Sequence, residues 1–88
     1  MGNVKERYAP VVIGVDSTVV ITSDSVGGFL AKTSGTLTIT RNNESGTTTV
    51  IVNAVAVTAG IYTPTPFFLG YHGATVTTAG GASGTLGV

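Results

Sequence analysis

The chain is 88 residues long, and its four Lys+Arg against four Asp+Glu leave it formally neutral with 9% of residues charged. So few cations exclude an electrostatic nucleic-acid binder, which needs a basic stripe to displace counterions. A hydrophobic share of 42% excludes a solvated disordered tail.

The length suits one small domain. With 16 Thr, 13 Val and 5 Ile, 34 of the 88 residues are β-branched, and 13 more are Gly. Stiff β-branched side chains fit a pleated surface better than a helix, so the composition predicts strands and turns. There is no Cys and a single His, so neither a disulfide nor a zinc set staples the core. A small neutral surface with few charges implies burial against other chains, the remaining common way for so small a domain to gain stability.

In chain order, residues 1–10 hold Lys5-Glu6-Arg7, Tyr8 and Pro10 and are expected to form an extended arm, with Pro10 disfavouring helix before it. They lack the apolar run of a signal peptide, and no stretch of the chain approaches the roughly 18–20 apolar residues of a membrane helix. Residues 11–88 are expected to form a single β domain. Residues 11–15 and 17–22 are strand-length and β-branched, with Asp16 and Ser23-Asp24-Ser25 as turn chemistry around them. Gly27-Gly28 then leads into a short strand at Phe29-Leu30-Ala31, ended by Ser34-Gly35.

Thr36-Leu37-Thr38-Ile39-Thr40-Arg41 alternates at period two, which puts Leu37 and Ile39 on a core face and three threonines on the other. Asn42-Asn43-Glu44-Ser45-Gly46 is a turn cluster, and residues 47–57 resume as strand, so the segment predicts a β-hairpin. The returning strand is apolar on both faces, with Val50, Val52, Ala54 and Ala56 against Ile51, Val55 and Val57. That pattern predicts a sandwich centre or a contact between subunits.

Residues 61–73 hold two of the three prolines, four of the six Phe and Tyr, and the only His. Pro64 and Pro66 each remove a backbone donor, which restricts this segment to an edge strand or an ordered loop. Residues 74–78 and 85–88 supply two further short strands around the flexible run 79–84. No stretch keeps a 3.6-residue period. The expected fold is therefore all-β, a small antiparallel β-sandwich or barrel of about seven or eight short strands with essentially no helix.

Chemistry-bearing residues are scarce. His72 would act as a base only if Asp16 or Asp24 reached it, no Ser lies in a Gly-x-Ser-x-Gly elbow, and the Asp16/Asp24 pair has no calcium-loop spacing. Gly80-Gly81-Ala82-Ser83-Gly84 lacks the lysine of a phosphate loop. The expectation is a protein with no catalytic residues, metal or cofactor. Binding remains, and Tyr62, Phe67, Phe68 and Tyr71 beside two prolines supply the kind of stiff aromatic patch that anchors interfaces. Val4 and Tyr8 of the arm and Ile51, Val55 and Val57 of the apolar strand complete the expected interface set.

The C-terminal half carries a resemblance. Val57-Thr58-Ala59-Gly60-Ile61-Tyr62, Pro66-Phe67 and the run from Ala74-Thr75-Val76-Thr77-Thr78 to Ser83-Gly84-Thr85-Leu86 resemble small virion proteins of tailed bacteriophages, of the head decoration or cement type. The resemblance spans residues 57–88. It implies a compact β-rich protein on the outer capsid surface, commonly a homotrimer, that binds at junctions between major capsid protein subunits and ties them together. The alternative is a glycan- or receptor-binding module of a phage head or tail fibre; such modules set aromatic faces beside carboxylates or amides, and residues 61–73 hold neither. Three of the eight charges lie in the arm and residues 50–71 carry none, which marks that span as the expected assembly surface.

Overall fold

Period-two alternation requires a sheet with one dry and one wet face, and the chain builds two such sheets. The computed structural model describes residues 10–23, 25–69 and 72–88. It contains eight strands: β1 (Pro10–Ile13), β2 (Thr18–Ile21), β3 (Ser25–Thr33), β4 (Gly35–Asn42), β5 (Thr48–Val57), β6 (Tyr62–Phe68), β7 (Ala74–Ala79) and β8 (Ser83–Gly87). Sheet I has the order β1-β8-β3-β6 and sheet II the order β2-β7-β4-β5. Every pairing is antiparallel. Two four-stranded sheets in this order have the topology of a jelly roll, in which closely linked strands are dealt alternately to opposite layers.

Only the β4–β5 hairpin stays within one sheet; every other connection crosses between them. These crossings need backbone that ordinary side chains resist. Gly73 lies at φ 69, and a Cβ there would run into the Ile21 carbonyl, so only glycine fits between β6 and β7. Asp16, at φ 47, turns the chain between β1 and β2, and its carboxylate accepts a 3.0 Å bond from the Gly81 amide. That bond ties together two of the crossings, β1 to β2 and β7 to β8.

The core lies between the sheets. Phe29 and Leu86 of sheet I and Leu37, Ile39 and Val76 of sheet II are fully buried, each side chain contributing about 1.5–3 kcal/mol. Leu37 and Ile39 point inward and Thr36, Thr38 and Thr40 outward, as their alternation dictates. Asn43 and Gly46 close the hairpin, the Asn43 amide donating to the Thr47 carbonyl at 2.9 Å. Among the described residues there is no α-helix. The all-β sandwich is thus the architecture that the composition predicts.

Four local expectations need correction. Pro10 belongs to β1, not to the arm, and sits at the first position of an edge strand, where its missing N–H costs least. Gly27 and Gly28 lie inside β3 and do not merely precede it. The register shifts between Val26 and Gly28, a bulge that glycine accommodates. The last strand begins at Ser83, two residues before the expected start.

The fourth correction concerns β5, which is an edge strand, so that of the two readings of its apolar faces the sandwich centre is overturned. Against β4, Thr40 faces Val50, Ile39 faces Val52 and Leu37 faces Val55, so β5 carries one extra residue in each interval. Each extra residue resets the phase of the alternation. Val52 and Val57 therefore both reach the core despite their odd separation, while Val50 and Ala56 face outward.

Candidate interaction surface

On the outer face of sheet I, directly opposed residues line up across all four strands. Val12 of β1 pairs with Thr85 of β8, Thr85 with Leu30 of β3, and Leu30 with Tyr62 of β6. Val12 is 77%, Tyr62 57% and Leu30 50% exposed. This row is an apolar ridge running across the sheet. Two residues along each strand lies a second row, Pro10 to Gly87 to Gly28 to Pro64. Glycine stands at both central positions of the second row; the Tyr62 ring covers Gly28, and Gly87 is left open.

Beside this row lies a pocket of ≈ 580 Å³ lined by Gly27, Gly28, Gly87, Leu30, Tyr62, Pro66 and Thr85. Tyr62 is held in place from two sides. Its hydroxyl donates to the Gly27 carbonyl at 3.3 Å, and its ring lies where a Cβ on Gly28 would stand. Glycine in the strand interior is therefore what lets the ring lie down on the sheet. Among the described residues, no charged side chain lines the pocket. Its walls offer an aromatic face, an aliphatic side chain and two hydroxyls, which suits a neutral, mostly apolar partner.

A second apolar strip follows the side of the sandwich where the edge strands β5 and β6 approach each other. Val55, Ile61 and Phe67 are exposed on these two strands and their connection, and no residue after Glu44 is Asp, Glu, Lys or Arg.

The residues expected at an interface are thus divided. Tyr62 lies on the face of sheet I, and Val55 and Phe67 belong to the β5–β6 side. Ile51 is half-buried against the core. Val57 is 3% exposed and part of the core, so it presents nothing to a partner. Its inward position follows from the β5 bulges. Val4, Tyr8 and Tyr71 and the side chain of Phe68 lie outside the described residues, as does Asp24. Asp16 is engaged by the Gly81 amide in a turn, and the His72 carbonyl accepts from Asn42 Nδ2 at 3.2 Å. Sequence reasoning missed Val12, Leu30 and Ile61. The ridge is assembled from residues 12, 30, 62 and 85, which no local pattern connects.

Jelly rolls occur in viral capsid domains and in lectins, so the topology alone selects neither class. Comparison with protein-family models, with curated proteins and with solved structures finds no match for the chain.

Proposed function

We propose that this chain is a structural virion protein that decorates and stabilises a phage capsid from its outer surface, binding at junctions between major capsid protein subunits. The observation that carries the reading is the uncharged β5–β6 side, where Val55, Ile61 and Phe67 stand exposed on a domain of only 88 residues. Such a strip on a small neutral domain is an interface residue set in search of cover. Each contact with the shell is small, and the stabilisation is collective, because many copies on a continuous lattice resist expansion together. The sheet edges are poor alternatives for docking: β1 and β2 have four residues each, β6 carries Pro64 and Pro66, and β5 is bulged twice.

The pocket bears on the glycan-binding alternative and speaks against it. Among the described residues it holds an aromatic ring, but no carboxylate or amide side chain that would take sugar hydroxyls. Co-sedimentation of the purified chain with undecorated phage capsids tests the proposal. Binding that Ile61→Lys weakens about tenfold or more, the cost of burying an uncompensated charge at a contact, is the expected result. Binding to host envelopes with none to capsids overturns the proposal.

A further inference from the structure

We propose that the shell surface covering the β5–β6 side is itself uncharged and apolar where it meets Val55 and Ile61, so that the junction is held by apolar burial and is insensitive to salt. The inference rests on the capsid reading and names the chemistry of the partner at that same surface.

The argument is one of charge placement. Among the described residues the charged side chains are Asp16, Lys32, Arg41 and Glu44, and each is directed elsewhere. Asp16 is bound to the Gly81 amide at the β1–β2 crossing. In both sheets that crossing joins the edge strands opposite to β5 and β6, so Asp16 stands on the far side of the sandwich. Lys32 lines a hollow of sheet I together with Val12, Gly14 and Val15, which turns its side chain toward the same far edge. Arg41 and Glu44 belong to the hairpin end. Arg41 lies four residues along β4 from Leu37, the partner of Val55, or roughly 13 Å away, and its guanidinium donates to Asn43 within its own turn.

What surrounds Val55 and Ile61 is polar but neutral: Asn53 and Thr58 are exposed beside them. A carboxylate or ammonium group of the shell seated here would lose its water and find no counter-charge, the costly case of a buried unpaired ion. The side therefore fits a neutral apolar patch, with the Asn53 amide and the Thr58 hydroxyl as an uncharged rim able to hydrogen-bond across the contact. Long-range attraction adds little, because the chain is formally neutral.

Opposite charges placed at one position read the chemistry of the shell. In co-sedimentation with undecorated phage capsids, Ile61→Lys and Ile61→Glu are both expected to bind about tenfold or more weakly than the parent, since a neutral apolar patch rejects either sign. Parent binding is expected to agree within about twofold between roughly 0.05 M and roughly 0.5 M NaCl, although the screening length shrinks about threefold over that range. Lys32→Gln is expected to stay within about twofold of the parent. If one sign at Ile61 binds as well as the parent or better, the shell carries the opposite charge and the inference is overturned. Parent binding that falls about tenfold with salt, or an equal loss in Lys32→Gln, overturns it too. In each of these cases binding to capsids persists and the capsid reading stands. A parent that binds no capsid at any salt concentration overturns that reading and the inference with it. All the substituted positions are exposed, circular dichroism checks that each variant keeps the fold, and the salt series on the parent needs no variant at all.

Discussion

Sheets I and II are built from different residues although both obey the same alternation. The strands of sheet I contain Gly27, Gly28, Gly84 and Gly87, all three prolines, and the rings of Phe29, Tyr62, Phe67 and Phe68; those of sheet II contain one glycine, no proline and no aromatic residue. On sheet II the outward positions are held mainly by Thr18, Thr36, Thr38, Thr40, Thr75 and Thr77, with the exposed Val20 and Val50 on the two edge strands. Sheet I uses glycine to make room for rings on both of its faces. A Cβ at Gly84 would strike the Phe29 ring inside, and one at Gly28 would strike the Tyr62 ring outside. A sheet assembled from ring-on-glycine pairs has relief, and relief permits specific fitting.

The largest effect expected is at the inner pair. In Gly84→Ala the added methyl meets the Leu30 carbonyl, Phe29 Cζ at 2.6 Å and Ala31 Cα at 2.9 Å. Two of these are backbone atoms of β3, which cannot swing aside as a flexible side chain would, so the cost is about 3 kcal/mol. Urea unfolding measures it. The matching change on the outer surface of the same strand, Gly87→Ala, meets only the Gly28 carbonyl at 3.9 Å, an ordinary contact, and is expected to fall within about 0.5 kcal/mol of the parent. Equal costs at the two sites would show that room for the ring is not what Gly84 provides.

A pair of buried threonines contrasts the two sheets next. Thr78 of β7 is satisfied: its hydroxyl donates to the Gly14 carbonyl at 2.7 Å and accepts from the Ser17 amide at 3.0 Å. Thr65 of β6 is 1% exposed, and its hydroxyl finds no partner among the described residues. The same near-isosteric substitution should therefore change sign between them. Thr78→Val removes two hydrogen bonds to the backbone of the β1–β2 crossing, whose Gly14 is exposed and Ser17 half-buried, and costs about 1 kcal/mol, whereas Thr65→Val removes an orphan and stabilises by about 1 kcal/mol. Thermal unfolding of both variants reads the signs, and a destabilised Thr65→Val would mean that the hydroxyl is bridged by a buried water.

The two sheets also differ in how much of them the sequence disclosed. The β4–β5 hairpin of sheet II was legible because Thr36 to Arg41 alternates without interruption and Asn43 and Gly46 supply the turn. The edge position of β6 was legible because Pro64 and Pro66 cannot donate to a second neighbour. Gly27-Gly28 misled, since glycine weakens a strand unless something lies across it, and what lies across it is a tyrosine 34 residues further along. The candidate surface was legible only as the residues 61–68 that supply Tyr62. Its other ridge members come from β1, β3 and β8, which become neighbours only through the order β1-β8-β3-β6. Local periodicity states which way a side chain points, not which strand will stand beside it.

The smallest gain expected lies at the irregularity of sheet II. Ala54, inside β5, has φ 48, and its amide donates to Thr38 Oγ1 at 3.1 Å instead of continuing the ladder. Left-handed backbone costs an L-residue about 1–2 kcal/mol, and alanine carries no side-chain group that would offset it. Glycine at this position would relieve the strain, but it would also widen the unfolded ensemble by about 0.5–1 kcal/mol. The net gain for Ala54→Gly is accordingly about 0.5 kcal/mol, seen as a higher urea midpoint with an unchanged slope. Ala54→Val, with a branched Cβ in the same conformation, should lose about 2 kcal/mol. If both variants prove neutral, β5 straightens without cost. Its edge would then no longer be blunted by the bulge, and strand addition at β5 would become a route by which copies associate.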